Sequence, residues 1–288
     1  MKIGAFVPIG SLNANPDFVR ALGPALEERG FESVWVAEHV VMFDDYASKY
    51  PYADDGRFPG GADTGLLEPL TALAYIAATT DTLRLGTGIC LLPQRNPVYT
   101  AKQVVDVDVL SGGRVDFGIG IGWLREEFDV LNVPFAKRAQ RTNEYIEILK
   151  RLWSDDASTS FDGELYQLPP CSMHPKPVQR PHPPLHFGGE TDAALRRVAD
   201  HGQGWYGFNR TPDEVPGALG KLDALLAERG RSRADLEISV CPYFKGVDRA
   251  ARDQYAELGV DRVIALVFAL DRDGLLRALD DAAAQLIP

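Results

Sequence analysis

The feature that most restricts the fold is a repeated alternation of strand-length apolar runs with stretches of helical period. Ile3 to Pro8 is an apolar run. Pro16 then opens a helix whose Phe18, Val19, Leu22, Ala25 and Leu26 share one face, and Gly30 ends it. Val34-Trp35-Val36-Ala37 follows as a strand buried on both faces. The same alternation continues. Strands are expected at 83–92, 115–120, 185–187, 204–208, 236–241 and 262–268. Helices are expected at 68–80, 96–110, 137–153, 191–201, 212–229, 249–258 and 273–286. About eight strands, each followed by a helix, with no antiparallel patterning, predict an α/β fold of the (β/α)8 TIM-barrel type. A doubly wound sheet needs fewer strands and a recognisable nucleotide turn.

Two stretches break the rhythm. Residues 40–67 are rich in Asp, Tyr, Pro and Gly without any period, giving an extended loop after strand 2 that reads as a lid or substrate wall. Residues 154–184 hold a small hairpin at 159–166, turning at Asp162-Gly163, and then a proline-rich extended connector before strand 5. Composition does not shift across either, so residues 1–288 read as one domain.

In a barrel, chemistry sits at the C-terminal strand ends. The second strand stops on Glu38-His39, a carboxylate and an imidazole able to handle a proton near neutral pH. Alone, that pair reads equally well as a loop cap and a rim residue. Other strand ends are glycine-rich (Gly88-Ile89, Gly188-Gly189) or aromatic (Phe208, Tyr243, Phe268), which suits a flat aromatic ligand with an anionic arm. Phe187-Gly188-Gly189-Glu190-Thr191 offers free backbone N–H groups at a helix start, where a phosphate could rest. Thr191 would add a hydroxyl or cap the helix, and Glu190 is expected to turn outward. Gly118-Ile119-Gly120-Ile121-Gly122-Trp123 is not a dinucleotide fingerprint, because Trp123 stands where the last glycine belongs.

Other classes find little support. The formal charge of −11 argues against nucleic acid or an anionic membrane as partner, and no apolar run approaches a membrane span. The chain enters a strand directly at its N-terminus, and the 3 cysteines are odd in number and widely spaced. A reduced, cytoplasmic protein is expected. His174, His182 and His186 lack zinc-site spacing, so no metal is expected; no GxSxG elbow is present and no Cys lies beside a His.

Glu38-His39, Leu85-Gly86-Thr87-Gly88-Ile89, Ser111-Gly112-Gly113-Arg114-Val115 and Phe187-Gly188-Gly189 occur in an order that resembles the bacterial luciferase-like superfamily of flavin- and deazaflavin-dependent TIM-barrel oxidoreductases. The resemblance covers nearly the whole chain and is nearest to the branch using coenzyme F420. It implies Glu38 and His39 beside the deazaflavin, with His39 managing the proton of hydride transfer and Glu38 orienting it. It also implies a cis peptide at Gly88–Ile89 behind the ring, with Thr87 alongside, and a phosphate seat at Gly188, Gly189 and Thr191. Deazaflavin members often carry Asp before the His, whereas Glu38 is nearer the luciferase pattern. Trp123 replaces the catalytic Glu of a sugar-phosphate branch, arguing against that activity. The implied partners are a small organic substrate and a second copy in a homodimer. The alternatives are an FMN-dependent monooxygenase, fed reduced flavin by a separate reductase, and a barrel that binds a ligand without catalysis.

Overall fold

The computed structural model describes residues 1–287. Strands β1 (Lys2–Phe6), β2 (Ser33–Val36) and β3 (Arg84–Thr87) pair in order. The chain re-enters the sheet as β4 (Cys90–Leu91) and then as β5 (Val115–Gly120), which pairs with both β3 and β4. A hairpin, β6 (Thr159–Asp162) and β7 (Gln167–Cys171), stands outside. Then β8 (Leu185–Gly188), β9 (Gly204–Phe208), β10 (Glu237–Cys241) and β11 (Arg262–Leu266) continue the ring, and β11 closes on β1. All ring pairings are parallel, so the expected TIM barrel is the fold.

The helices are α1 (Pro16–Glu28), α2 (Pro69–Ala77), α3 (Pro97–Leu110), α4 (Arg125–Val130), α5 (Arg138–Trp153), α6 (Asp192–His201), α7 (Val215–Ala227), α8 (Arg249–Glu257) and α9 (Arg272–Leu286). Side chains of Asn15, Glu68, Asn96, Thr191, Asp248 and Asp271 accept backbone N–H groups at helix starts. Two local expectations need correction. Helix α4 falls where an unbroken connection from β5 to α5 was expected. The hairpin runs on to Cys171, because Pro169 and Pro170 sit in β7, part of a two-stranded sheet in which no inner ladder is lost. No helix among the described residues is long and apolar enough to cross a membrane.

Apolar helix faces pack on the outside of the ring, while Phe6, Trp35, Tyr206, Cys241, Tyr243 and Ile264 form a separate cluster. Trp35 and Tyr206 pack with their rings tilted by 36° and centroids 5.1 Å apart, and a Cβ at Gly86 would lie 2.3 Å from the Trp35 ring, so glycine there makes room for it. Tyr206, inside β9, is fully buried beneath the mouth and forms no part of its wall.

The N-terminal end of the barrel is closed by charge. Arg84 Nε lies 2.9 Å from Asp116 Oδ2, and Arg262 reaches Glu32 at 2.8 Å, Glu237 at 3.0 Å and Asp116 at 3.4 Å. His186 Nε2 is 3.7 Å from Asp116 and 4.0 Å from Glu237. Asp116, His186 and Glu237 bring their ligand-type atoms within 4.8 Å of one another. Lys2, Arg84 and Arg262 already offset Glu32, Asp116 and Glu237, however, so the cluster is a balanced ion network rather than a metal cage.

Candidate active site

The opposite end of the barrel is the mouth. His39, just past β2, is nearly buried, and its Nδ1 lies 3.1 Å from Glu127 Oε2. Glu127 sits in the first turn of α4, where carboxylates are favoured by the free N–H groups of the helix start. Its other oxygen accepts the Val40 N–H at 2.7 Å, and Gln94 Nε2 donates to Oε2 at 3.0 Å. Burial opposes ionisation of Glu127, but the His39, Gln94 and Val40 contacts outweigh it and hold the carboxyl below its ordinary range. Glu127 therefore stays charged at neutral pH. Its contact fixes the His39 ring and leaves Nε2 as the nitrogen available to a ligand.

The sequence pairing of Glu38 with His39 is corrected here. Glu38 accepts the Leu91 N–H and a two-pronged contact from Arg95, which also reaches Glu68 at the cap of α2. Glu38 thus braces the segment after β3 and does not orient His39. Nothing in composition or period marked Glu127; the available signal was a pair of carboxylates one short step beyond a strand end. With Glu127→Gln, the His39 contact becomes neutral and its donor–acceptor sense can reverse. Turnover is expected to fall by about tenfold or more with little change in KM, checked by steady-state kinetics.

Gly88–Ile89 is a cis peptide, as the resemblance implied. The Ile89 side chain lies against the neighbouring strand ends: a Cβ at Gly120 would fall 2.0 Å from it, and one at Gly188 3.0 Å. Gly189 has φ +101°, a conformation that L side chains rarely adopt. Gly120 and Gly188 therefore make room for the Ile89 side chain, which forms a shelf beside the side-chain-free turn at Gly188–Gly189. Thr87 is not on it. Fully buried, it donates its hydroxyl to Gly118 O at 2.7 Å, bridging β3 and β5. Thr191 caps α6 by accepting the Ala194 N–H at 3.2 Å. Glu190, expected to face outward, instead accepts the Phe208 N–H at 3.0 Å and lies 3.4 Å from Arg210. Burial raises its pKa.

The 40–67 loop lies over this mouth. Phe58 meets His39 edge-on at 5.2 Å, Tyr50 meets Trp123 at 5.2 Å, and Tyr52 meets Phe208 at 4.8 Å. Trp123 closes the ring around His39 at 5.7 Å. Burial pushes the Tyr243 phenol up to about 12, so it serves as a neutral wall. Phe268 is 56% exposed and lies on the rim, not in the wall. The loop is anchored by α4: Glu126 accepts the Ala47 N–H at 2.7 Å and the Ser48 N–H at 3.2 Å.

A barrel mouth that joins a buried acid–histidine pair to a glycine shelf can move a proton beside a bound ligand. The sequence matches the family described as luciferase-like monooxygenase over residues 1–282, and the chain belongs to that family. An uncharacterised protein of Mycobacterium tuberculosis is 35% identical over 215 residues, 75% of this chain and 73% of that one. An FMNH2-dependent dimethylsulfone monooxygenase of Pseudomonas putida is 30% identical over 196 residues, 66% of this chain and 53% of that one. Among solved structures, monooxygenase RslO1 from Streptomyces bottropensis superposes with a TM-score of 0.79 at 20% identity, covering 100% of this chain and 99% of that one. The coenzyme F420-dependent tetrahydromethanopterin reductase of Methanopyrus kandleri gives 0.76 at 17% identity, covering 100% and 98%. At these identities the structures establish the fold alone.

Proposed function

We propose that this chain is an oxidoreductase transferring a hydride between coenzyme F420 and a small organic substrate, with His39 handling the accompanying proton. The observation that carries the reading is the His39–Glu127 contact beside the Ile89–Gly188 shelf. Gly120 and Gly188 seat the Ile89 side chain, on which a flat tricyclic ring would rest. Bound there, a deazaflavin supplies a carbon centre that carries hydride and reacts poorly with oxygen. The protein's own part is positional. Ile89 would support the ring, the Gly188–Gly189 backbone N–H groups would hold its phosphate, and Glu127 holds His39 so that Nε2 can give or take a proton. Phe58, Tyr50 and Trp123 exclude water and give the substrate apolar walls.

A second reading is an FMN-dependent monooxygenase of the same fold. It is favoured by Glu38 in place of Asp and by the Pseudomonas putida relative. Anaerobic titration of the purified protein with oxidised and reduced F420 and FMN, followed by absorbance and fluorescence, separates the two. Saturable F420 binding is expected. Binding of FMN alone, with oxygen uptake coupled to substrate oxidation, would replace the first reading with the second.

A further inference from the structure

Glu127 does not hold His39 unaided. Its Oε2 lies 3.1 Å from His39 Nδ1 and also accepts Gln94 Nε2 at 3.0 Å, while Oε1 accepts the Val40 N–H at 2.7 Å. Gln94 closes the single 3₁₀ turn Leu92–Gln94 that follows β4, and it is 7% exposed. Glu38 fixes that turn from both sides, through the Leu91 N–H before it and the Arg95 guanidinium after it.

The amide has one orientation only. A carboxylate accepts hydrogen bonds and donates none, so the NH2 end of Gln94 faces Glu127 and Oε1 turns elsewhere. That oxygen is buried and has no donor among the described residues. A buried acceptor without a donor is unfavourable. Methionine, of similar length and without an amide, would fill the same space and avoid the loss. Packing therefore does not account for glutamine at this position. What the amide adds is its N–H to Glu127.

That N–H bears on where the proton of the pair resides. Glu127 faces His39 from the segment after β2 and Gln94 from the segment after β4, with the Arg95–Glu38 pair one residue further on. On α4 itself, Arg125 turns to the Phe135 ring at 4.5 Å and Glu126 to the Ala47 and Ser48 N–H groups. Burial opposes the charge on Glu127, and His39 and then Gln94 are the side chains that offset it. A donor on Oε2 stabilises negative charge there and makes that oxygen a weaker proton acceptor. We propose that Gln94 is a positioning residue that keeps Glu127 an anion, so that the mobile proton of the pair stays on His39 and is exchanged at Nε2. When Nε2 gives up its proton, the ring is left neutral with its remaining proton on Nδ1, toward Glu127. The assignment rests on the His39 role above.

The test reads the pair without any cofactor. Isotope-labelled histidine ring nitrogens are followed by NMR against pH in wild type, Gln94→Met, Glu127→Gln and the double variant. His39→Asn assigns the His39 signals among the 5 histidines. Loss of the donor makes Glu127 a better proton acceptor, so the midpoint of the coupled pair in Gln94→Met should move up by about one pH unit, the size of one charge-assisted hydrogen bond. In the Glu127→Gln background the same substitution should move nothing, because the amide has lost the charge it acts on. Turnover with F420 should fall on the acid side of its pH profile, with KM little changed. An unmoved midpoint in Gln94→Met, or an equal movement with and without Glu127, overturns the assignment. A midpoint that moves as expected in a protein that does not turn over F420 leaves Gln94 in this role and removes the cofactor reading alone. Should Gln94→Met fold poorly, Gln94→Leu carries the same comparison.

Discussion

Replacing His39 with alanine is expected to lower turnover by about 10²–10⁴-fold, the contribution of a positioned general acid or base. The argument starts from the ring's surroundings. Nδ1 is committed to Glu127, the faces and edges meet Phe58 and Trp123, and Nε2 remains for the reacting partner. No other imidazole lies at the mouth: His186 belongs to the opposite end of the barrel, and His174, His182 and His201 to the outside. The phenols of Tyr50, Tyr52 and Tyr243 are all raised by burial, so they stay protonated at neutral pH and cannot replace His39 as a base.

Alanine also removes a partner from the buried Glu127, so its effect mixes chemistry with packing. His39→Asn separates them. The asparagine amide can donate to Glu127 from nearly the position of Nδ1, keeping the carboxylate satisfied, but it cannot transfer a proton. Both variants should lose turnover, and only the alanine should also lose stability, measured by thermal melting. Cofactor affinity should change little in either, because the glycine shelf is untouched. Full turnover in both variants would remove His39 from the proton-handling role.

The fold was legible because its signal is repeated. Eight alternations of short apolar runs and helical faces leave few architectures, and the locally visible signals at Pro16 and Thr191 fell at helix starts. The wiring of the site was less legible. Glu38 and His39 are adjacent in sequence, but successive side chains on an extended segment point to opposite sides. One therefore braces Arg95 while the other enters the mouth. The residue that orients His39 is 88 positions away in sequence, on a six-residue helix too short to show a period.

The opposite end of the barrel yields the largest expected effect on stability. Asp116→Asn should cost about 3–5 kcal/mol, because it breaks a buried ion network while leaving its cations in place. Asp116 is 1% exposed and Arg262 is 0% exposed. Without the Asp116 charge, Arg84 loses its carboxylate partner and Arg262 keeps only Glu32 and Glu237. The pH dependence follows from the direction of the shift. Burial opposes ionisation of Asp116, but the His186 and Arg84 contacts and the Arg262 charge together hold its carboxyl far below the usual range. A group depressed on folding stabilises above its unfolded pKa, about 3.9 for Asp, and that contribution fades as pH falls through the interval down to the folded value. Chemical denaturation should therefore show the wild-type advantage over Asp116→Asn in full at pH 7 and shrinking below about pH 4. Turnover per folded molecule should be unchanged at pH 7, because the network lies at the end of the barrel away from the mouth. A variant that kept its stability but lost activity would mean that this end of the barrel communicates with the site, and that its charges serve more than closure.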